Sequence, residues 1–209
     1  MKEIIPYKTL EGARRALDNG GRFFNLFTKA GDGKITGGEI SKAAGVLGDK
    51  HSVMLFFQLA ISRLSNNDQQ SLMDHLDDKI KRNWRESPAD NIPVYRFHQT
   101  ATPNKPVIVE GYPFFVEDRE QFSSFIMIPI TVGNTTTMMM VPIFDHFDVY
   151  EVYGNPDKTG RSALVGIKRL KGRKRIPVSR TTFAGIVKEM DFKNKKRKKP
   201  FVEATFVVK

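Results

Sequence analysis

The hydrophobic period of this chain changes once, and a proline-punctuated stretch marks the change. "RESPADNIPVYRFHQTATPNKP" carries Pro88, Pro93, Pro103 and Pro106, and prolines at that density disfavour both a continuous helix and a central strand. Ahead of it, apolar residues recur at helical spacing. After it, β-branched and aromatic residues alternate with polar ones. The pattern predicts an α+β chain, with a helical domain over 1–86, a Pro-rich linker over 87–106 and an antiparallel β domain, barrel or sandwich, over 107–209.

In the helical half, Thr9 is expected to cap a helix through Leu17, and "DNGG" to end it. "RFFNLF" reads as a short helical lead and "GGEISKAAGVLG" as a further helix. Val53 to Leu64 is apolar nearly all round, as a central buried helix would be. Ser65 to Asp68 offers N-caps for the next helix, on which Leu72, Leu76, Ile80 and Trp84 form one stripe. The β half divides into strands at about 107–116, 123–132, 135–144, 147–154, 162–170, 181–192 and 201–209. Closure into a small barrel or a sandwich follows, because an open sheet would leave long edges. An oligonucleotide-binding barrel is compatible with that strand count.

Charge is the most informative feature of composition. The net charge is +11, yet Lys168 to Lys199 alone holds fourteen Lys and Arg against Glu189 and Asp191. A basic excess confined to one segment points to nucleic acid or another polyanion as partner, since dispersed charge would serve solubility as well. Two runs carry it. Lys168, Arg169, Lys171, Arg173, Lys174 and Arg175 form the first, and Lys193, Lys195, Lys196, Arg197, Lys198 and Lys199 the second. Both are expected in loops on one rim of the β domain. Tyr112, Phe114, Tyr150 and Tyr153 are the aromatics able to stack on bases.

Other classes find less footing. There is no cysteine, which removes thiolate metal sites, disulfides and cysteine nucleophiles. His51, His75, His98 and His146 show no metal-ligand spacing. No glycine-rich phosphate loop or nucleophile elbow occurs, so a non-catalytic binding protein is expected. "MKEIIPYKTLEGARR" reaches charged residues before any signal-peptide core, and the apolar run Val53 to Ile61 falls short of the roughly 20 residues of a membrane helix. An intracellular, cytoplasmic protein without membrane contact is expected; "KKRKK" resembles a nuclear-targeting peptide and leaves the nucleus open.

"FFNLFTKAGDGKITGGEI" resembles the EF-hand, the helix–loop–helix calcium motif. The resemblance covers residues 24–40 only. It places Thr28, Asp32, Lys34 (through its carbonyl), Thr36 and Glu39 at ligand positions, with Gly33 at the sharp turn and Ile35 as apolar anchor. Ala30 offers no oxygen where the motif has a carboxylate, and Lys29 and Lys34 oppose a cation. The resemblance therefore implies the shape of the motif, with an empty loop and no cofactor; weak calcium binding is the alternative. A rival reading makes the helical domain a scaffold for a protein partner or a homo-oligomer.

Overall fold

The computed structural model of the chain describes residues 1–20, 29–46, 49–132, 135–169, 172, 174–191 and 198–209. Among these, six helices accompany a mixed sheet of seven strands. The chain is α+β.

Local signals set most helix ends. The Thr9 hydroxyl accepts from the Gly12 N–H and starts α1 (Leu10–Leu17). Thr36 and Glu39 form a reciprocal capping box at α2 (Gly37–Ala44). Asp49 caps α3 (Lys50–Ala60), which buries Val53, Met54, Leu55, Phe56, Phe57, Leu59 and Ala60. Ser65 caps α4 (Asn66–Asp74) and Asp77 caps α5 (Asp78–Glu86). The single stripe from Leu72 to Trp84 is thus split between two helices. Asp77 is the reason: its carboxylate accepts from the Ile80 N–H at 2.7 Å and stops α4 from running on. The released Leu76 pairs with Ile35 in a parallel bridge. The "RFFNLF" segment lies outside the described residues. No helix among those described is long and apolar enough to cross a membrane.

The strands are β1 (Lys2–Glu3), β2 (Asp90–Asn91), β3 (Pro106–Val132), β4 (Thr135–Tyr153), β5 (Ser162–Lys168), β6 (Thr181–Asp191) and β7 (Lys198–Val208). Four expected strands merge into two, β3 and β4. "VEDREQ" contains no breaker, and register shifts at Phe115/Glu117 and Phe122/Ser124 absorb the irregularity instead. The sheet is also not purely antiparallel: β5 runs parallel to β7, β1 to β7 and β2 to β3. Pairing passes from β3 to β4, β5, β7 and β6 and returns to β3.

Alternation along these strands feeds two larger cores and a small third cluster of Phe147, Val149, Leu164 and Phe201. Val107, Val109, Tyr150, Val152, Val165, Phe183 and Val202 join one cluster. Ile108, Ala184 and Phe206 point the other way and pack with α1 to α5. The helices therefore cover the outer face of β3, β6 and β7. The expected linker carries β2, a 3₁₀ turn at Val94–Arg96 and the four-residue α6 (Phe97–Thr100). Phe97 joins the cluster of Val107, Tyr150 and Phe183 fully buried.

One part of the sheet stands apart. β3 and β4 stay paired out to Val132 and Thr135, whereas β5 follows β4 only from Phe147 to Tyr153 and β6 follows β3 only from Pro106 to Gly111. Beyond those limits the two strands continue as a two-stranded ribbon.

Candidate functional site

The helix–loop–helix segment comes first, because its carboxylates are already engaged. Glu39 is fully buried; one oxygen accepts from the Thr36 N–H and hydroxyl at 2.8 and 2.9 Å, the other from the Gly20 N–H at 2.7 Å. Asp32 is exposed and accepts from the Lys34 N–H at 2.9 Å. Thr36 is spent on the helix cap, Lys34 is exposed, and Thr28 lies outside the described residues. Asp18, read from sequence only as part of a helix stop, accepts from the N–H groups of Gly31, Asp32 and Gly33 at 2.8, 3.2 and 2.7 Å. The loop thus turns backbone donors toward a carboxylate, where a cation site needs oxygens turned inward. Among the described residues no group of three or more His, Asp or Glu could hold a metal ion. Titration calorimetry at micromolar calcium is expected to give no saturable heat. Such a heat, abolished in Glu39→Gln, would reverse that expectation.

In the first basic run, Lys168 and Arg169 are tied to acids. Lys168 pairs with Asp145 at 2.9 Å and Glu203 at 3.4 Å, and the Asp145 hydrogen bond holds its ammonium above the usual lysine range. Arg169 bridges the buried Asp148 and the exposed Asp118. Arg175 lies 3.6 Å over the Phe115 ring, and the next residue, Ile176, donates its N–H to the Tyr150 hydroxyl at 3.1 Å. Lys174 is exposed. Lys171, Arg173, Lys193, Lys195, Lys196 and Arg197 lie outside the described residues. Lys198 opens β7, followed by the half-buried Lys199.

The two connections that flank β6 lie at its opposite ends. One connects β5 to β6 and the other β6 to β7, so they leave opposite ends of β6. At about 3.3 Å per residue its length keeps them on the order of 30 Å apart. Consecutive connections around a single strand have no other choice.

A more coherent cluster forms at the end where β7 begins. Tyr112 stands opposite Tyr153 and Phe114 opposite Glu151 in the β3–β4 register, all half-buried. They share strand parity with the outward Ile108. The rings of Phe114 and Tyr153 meet edge to face, 5.8 Å apart. The Lys158 ammonium sits 4.3 Å from the Phe114 ring centre, and the Tyr153 hydroxyl donates to Glu151 at 2.8 Å. His98 belongs to this end as well: burial holds it below the ordinary histidine value, aided by the charges of Lys199 and Arg161. Tyr150, grouped with these aromatics on sequence, instead faces the core. Lys158, Arg161 and His98 were not anticipated, since they come from a turn and a short helix outside both basic runs. No protein-family model matches the chain, and no curated protein matches it either.

Proposed function

We propose that the circuit of β3 to β7 closes into a small five-stranded barrel that binds single-stranded nucleic acid beside the β6–β7 connection. The observation that carries this reading is the outward patch of Tyr112, Phe114 and Tyr153 with Lys158 over the Phe114 ring, and with Arg161 and Lys199 near enough to His98 to act on its charge. Aromatic faces accept any base by stacking, and the cations meet the backbone phosphates. The "KNKKRKK" run joins β6 to β7 at that same end. The helices pack on β3, β6 and β7; on the outer side of β4 and β5, the side on which oligonucleotide-binding barrels hold their ligand, Phe147, Val149 and Leu164 are buried with Phe201, and Glu151 and Tyr153 beyond them are half-buried.

Fluorescence anisotropy with a labelled oligothymidylate of about ten nucleotides tests it, a length within the usual range for one such barrel. Affinity should fall steeply with salt. Phe114→Ala and Tyr153→Ala should each weaken binding about 5- to 150-fold, the range for one stacked base at roughly 1–3 kcal/mol. Lys158→Ala should flatten the salt slope by about 0.7. Binding that ignores all three substitutions would place the interface elsewhere. No salt-dependent binding by the intact chain would remove the nucleic-acid reading.

A further inference from the structure

One group in the aromatic patch carries the wrong sign for a phosphate. Glu151 stands opposite Phe114 in the β3–β4 register and two residues from Tyr153 on β4, so the three side chains share the outer face. It is half-buried. Asp118, Asp145 and Asp148 on the same two strands are each paired with a cation, whereas Glu151 makes no ion pair among the described residues. Its carboxylate accepts one hydrogen bond there, from the Tyr153 hydroxyl at 2.8 Å, and Lys158 is held over the Phe114 ring instead.

A half-buried carboxylate without a cation partner repels a phosphate passing it, so its place among the rings suits the base end of a nucleotide rather than the backbone. A carboxylate is acceptor-only, with about four lone-pair sites. Tyr153 uses one of them, and both oxygens keep the capacity to accept. The spacing suits a base edge as well: on one strand the next side chain on the same face is about 7 Å away, and a directly opposed Cβ is about 5 Å away. A base stacked on Tyr153 or Phe114 therefore brings its rim within reach of Glu151.

We propose that Glu151 reads guanine in the single strand bound by this patch, an inference that rests on the nucleic-acid reading above. Guanine alone among the common bases presents two adjacent donors, N1–H and the N2 amine, on its Watson–Crick edge, and they match the two oxygens of a carboxylate. Adenine and cytosine offer one amine beside a ring-nitrogen acceptor, which a carboxylate repels. Thymine and uracil offer one N–H between two carbonyls. The guanine contact is charge-assisted and bidentate. Cations on the phosphates contribute affinity without choosing a base; Glu151 supplies the choice.

Fluorescence anisotropy of the full chain with three labelled decamers tests this: alternating thymine and guanine, alternating thymine and hypoxanthine, and thymine alone. Hypoxanthine is guanine without the N2 amine, so it keeps the purine stack and one of the two donors. The guanine decamer should bind about 5- to 150-fold more tightly than oligothymidylate, the range for one bidentate base contact, with the hypoxanthine decamer between them. Glu151→Ala should make the guanine and hypoxanthine decamers bind alike. Tyr153→Phe removes the hydroxyl and keeps the ring, and the preference for guanine over hypoxanthine should persist because the carboxylate itself makes the contact. If Tyr153→Phe abolishes that preference as Glu151→Ala does, Glu151 acts only by orienting Tyr153 and the proposal falls. Equal binding of guanine and hypoxanthine by the wild type also overturns it, a comparison that requires no variant to fold. Salt-dependent binding to every decamer without preference leaves the nucleic-acid reading in place, whereas no such binding to any of them removes both readings.

Discussion

Gly185→Ala is expected to destabilise the protein by about 3 kcal/mol or more, read as a lower urea midpoint with an unchanged slope. Gly185 lies in β6 between Val107 of β3 and Ala204 of β7, beside the register shift after Ala184. A Cβ built there falls 2.0 Å from the Glu203 carbonyl oxygen, 2.7 Å from its carbon and 2.9 Å from the Ala204 Cα. All three are backbone atoms, so no side chain can swing aside. Relief requires β7 to move, and β7 also pairs with β1 and β5. Phe206 and Val207 on that strand serve the two cores on its opposite faces. The substitution thus strains both cores at once. A loss below about 1 kcal/mol would mean that β6 and β7 are less closely joined than their register indicates.

How much of this was legible in sequence depends on the range over which each feature is decided. Thr9, Ser65 and the alternation beyond Pro106 act within a few residues, and the elements they forecast are present. Leu72 to Trp84 misled because helical spacing continues across a cap: Asp77 competes locally with a stripe that the period alone cannot interrupt. The merged strands mislead in the opposite way. Charged residues at 117–120 look like a loop, but they lie on β3 past its last pairing with β6 at Gly111, where the strand is an edge beside β4 and its side chains can meet water or ion partners. The parallel β5–β7 pairing has no local signal, since it joins segments separated by all of β6.

The sites follow the same rule. Charge density in sequence located Lys168 and Arg169, but not the Asp145, Asp118 and Asp148 that engage them across β4 and β3. A run of cations is a one-dimensional feature. Its field depends on acids brought beside it by strand register. Asp18 was similarly invisible as a loop partner, because it lies more than ten residues before the N–H groups it receives. Tyr153 and Phe114 were among the aromatics identified, while the separation of Tyr150 from them required knowing which parity faces inward.

Phe97→Ala is expected to cost about 3–5 kcal/mol, the range for removing a fully buried aromatic side chain. Phe97 begins α6 inside the proline-marked stretch and is wholly inaccessible. It shares one core cluster with Val94, Val107, Val165 and Phe183. The prolines there exclude long regular elements without excluding packing: Pro93 precedes the turn that leads into α6, and its carbonyl accepts from the Arg96 N–H at 2.9 Å. The segment therefore closes one side of the core, and truncating Phe97 leaves a cavity that α6, only four residues long, has few other anchors to collapse into. Phe97→Leu should recover most of the loss, because it restores apolar volume without requiring the ring's shape. Urea unfolding of the pair measures both terms. If Phe97→Ala costs less than about 1 kcal/mol, this stretch behaves as a detachable linker and the core must close without it.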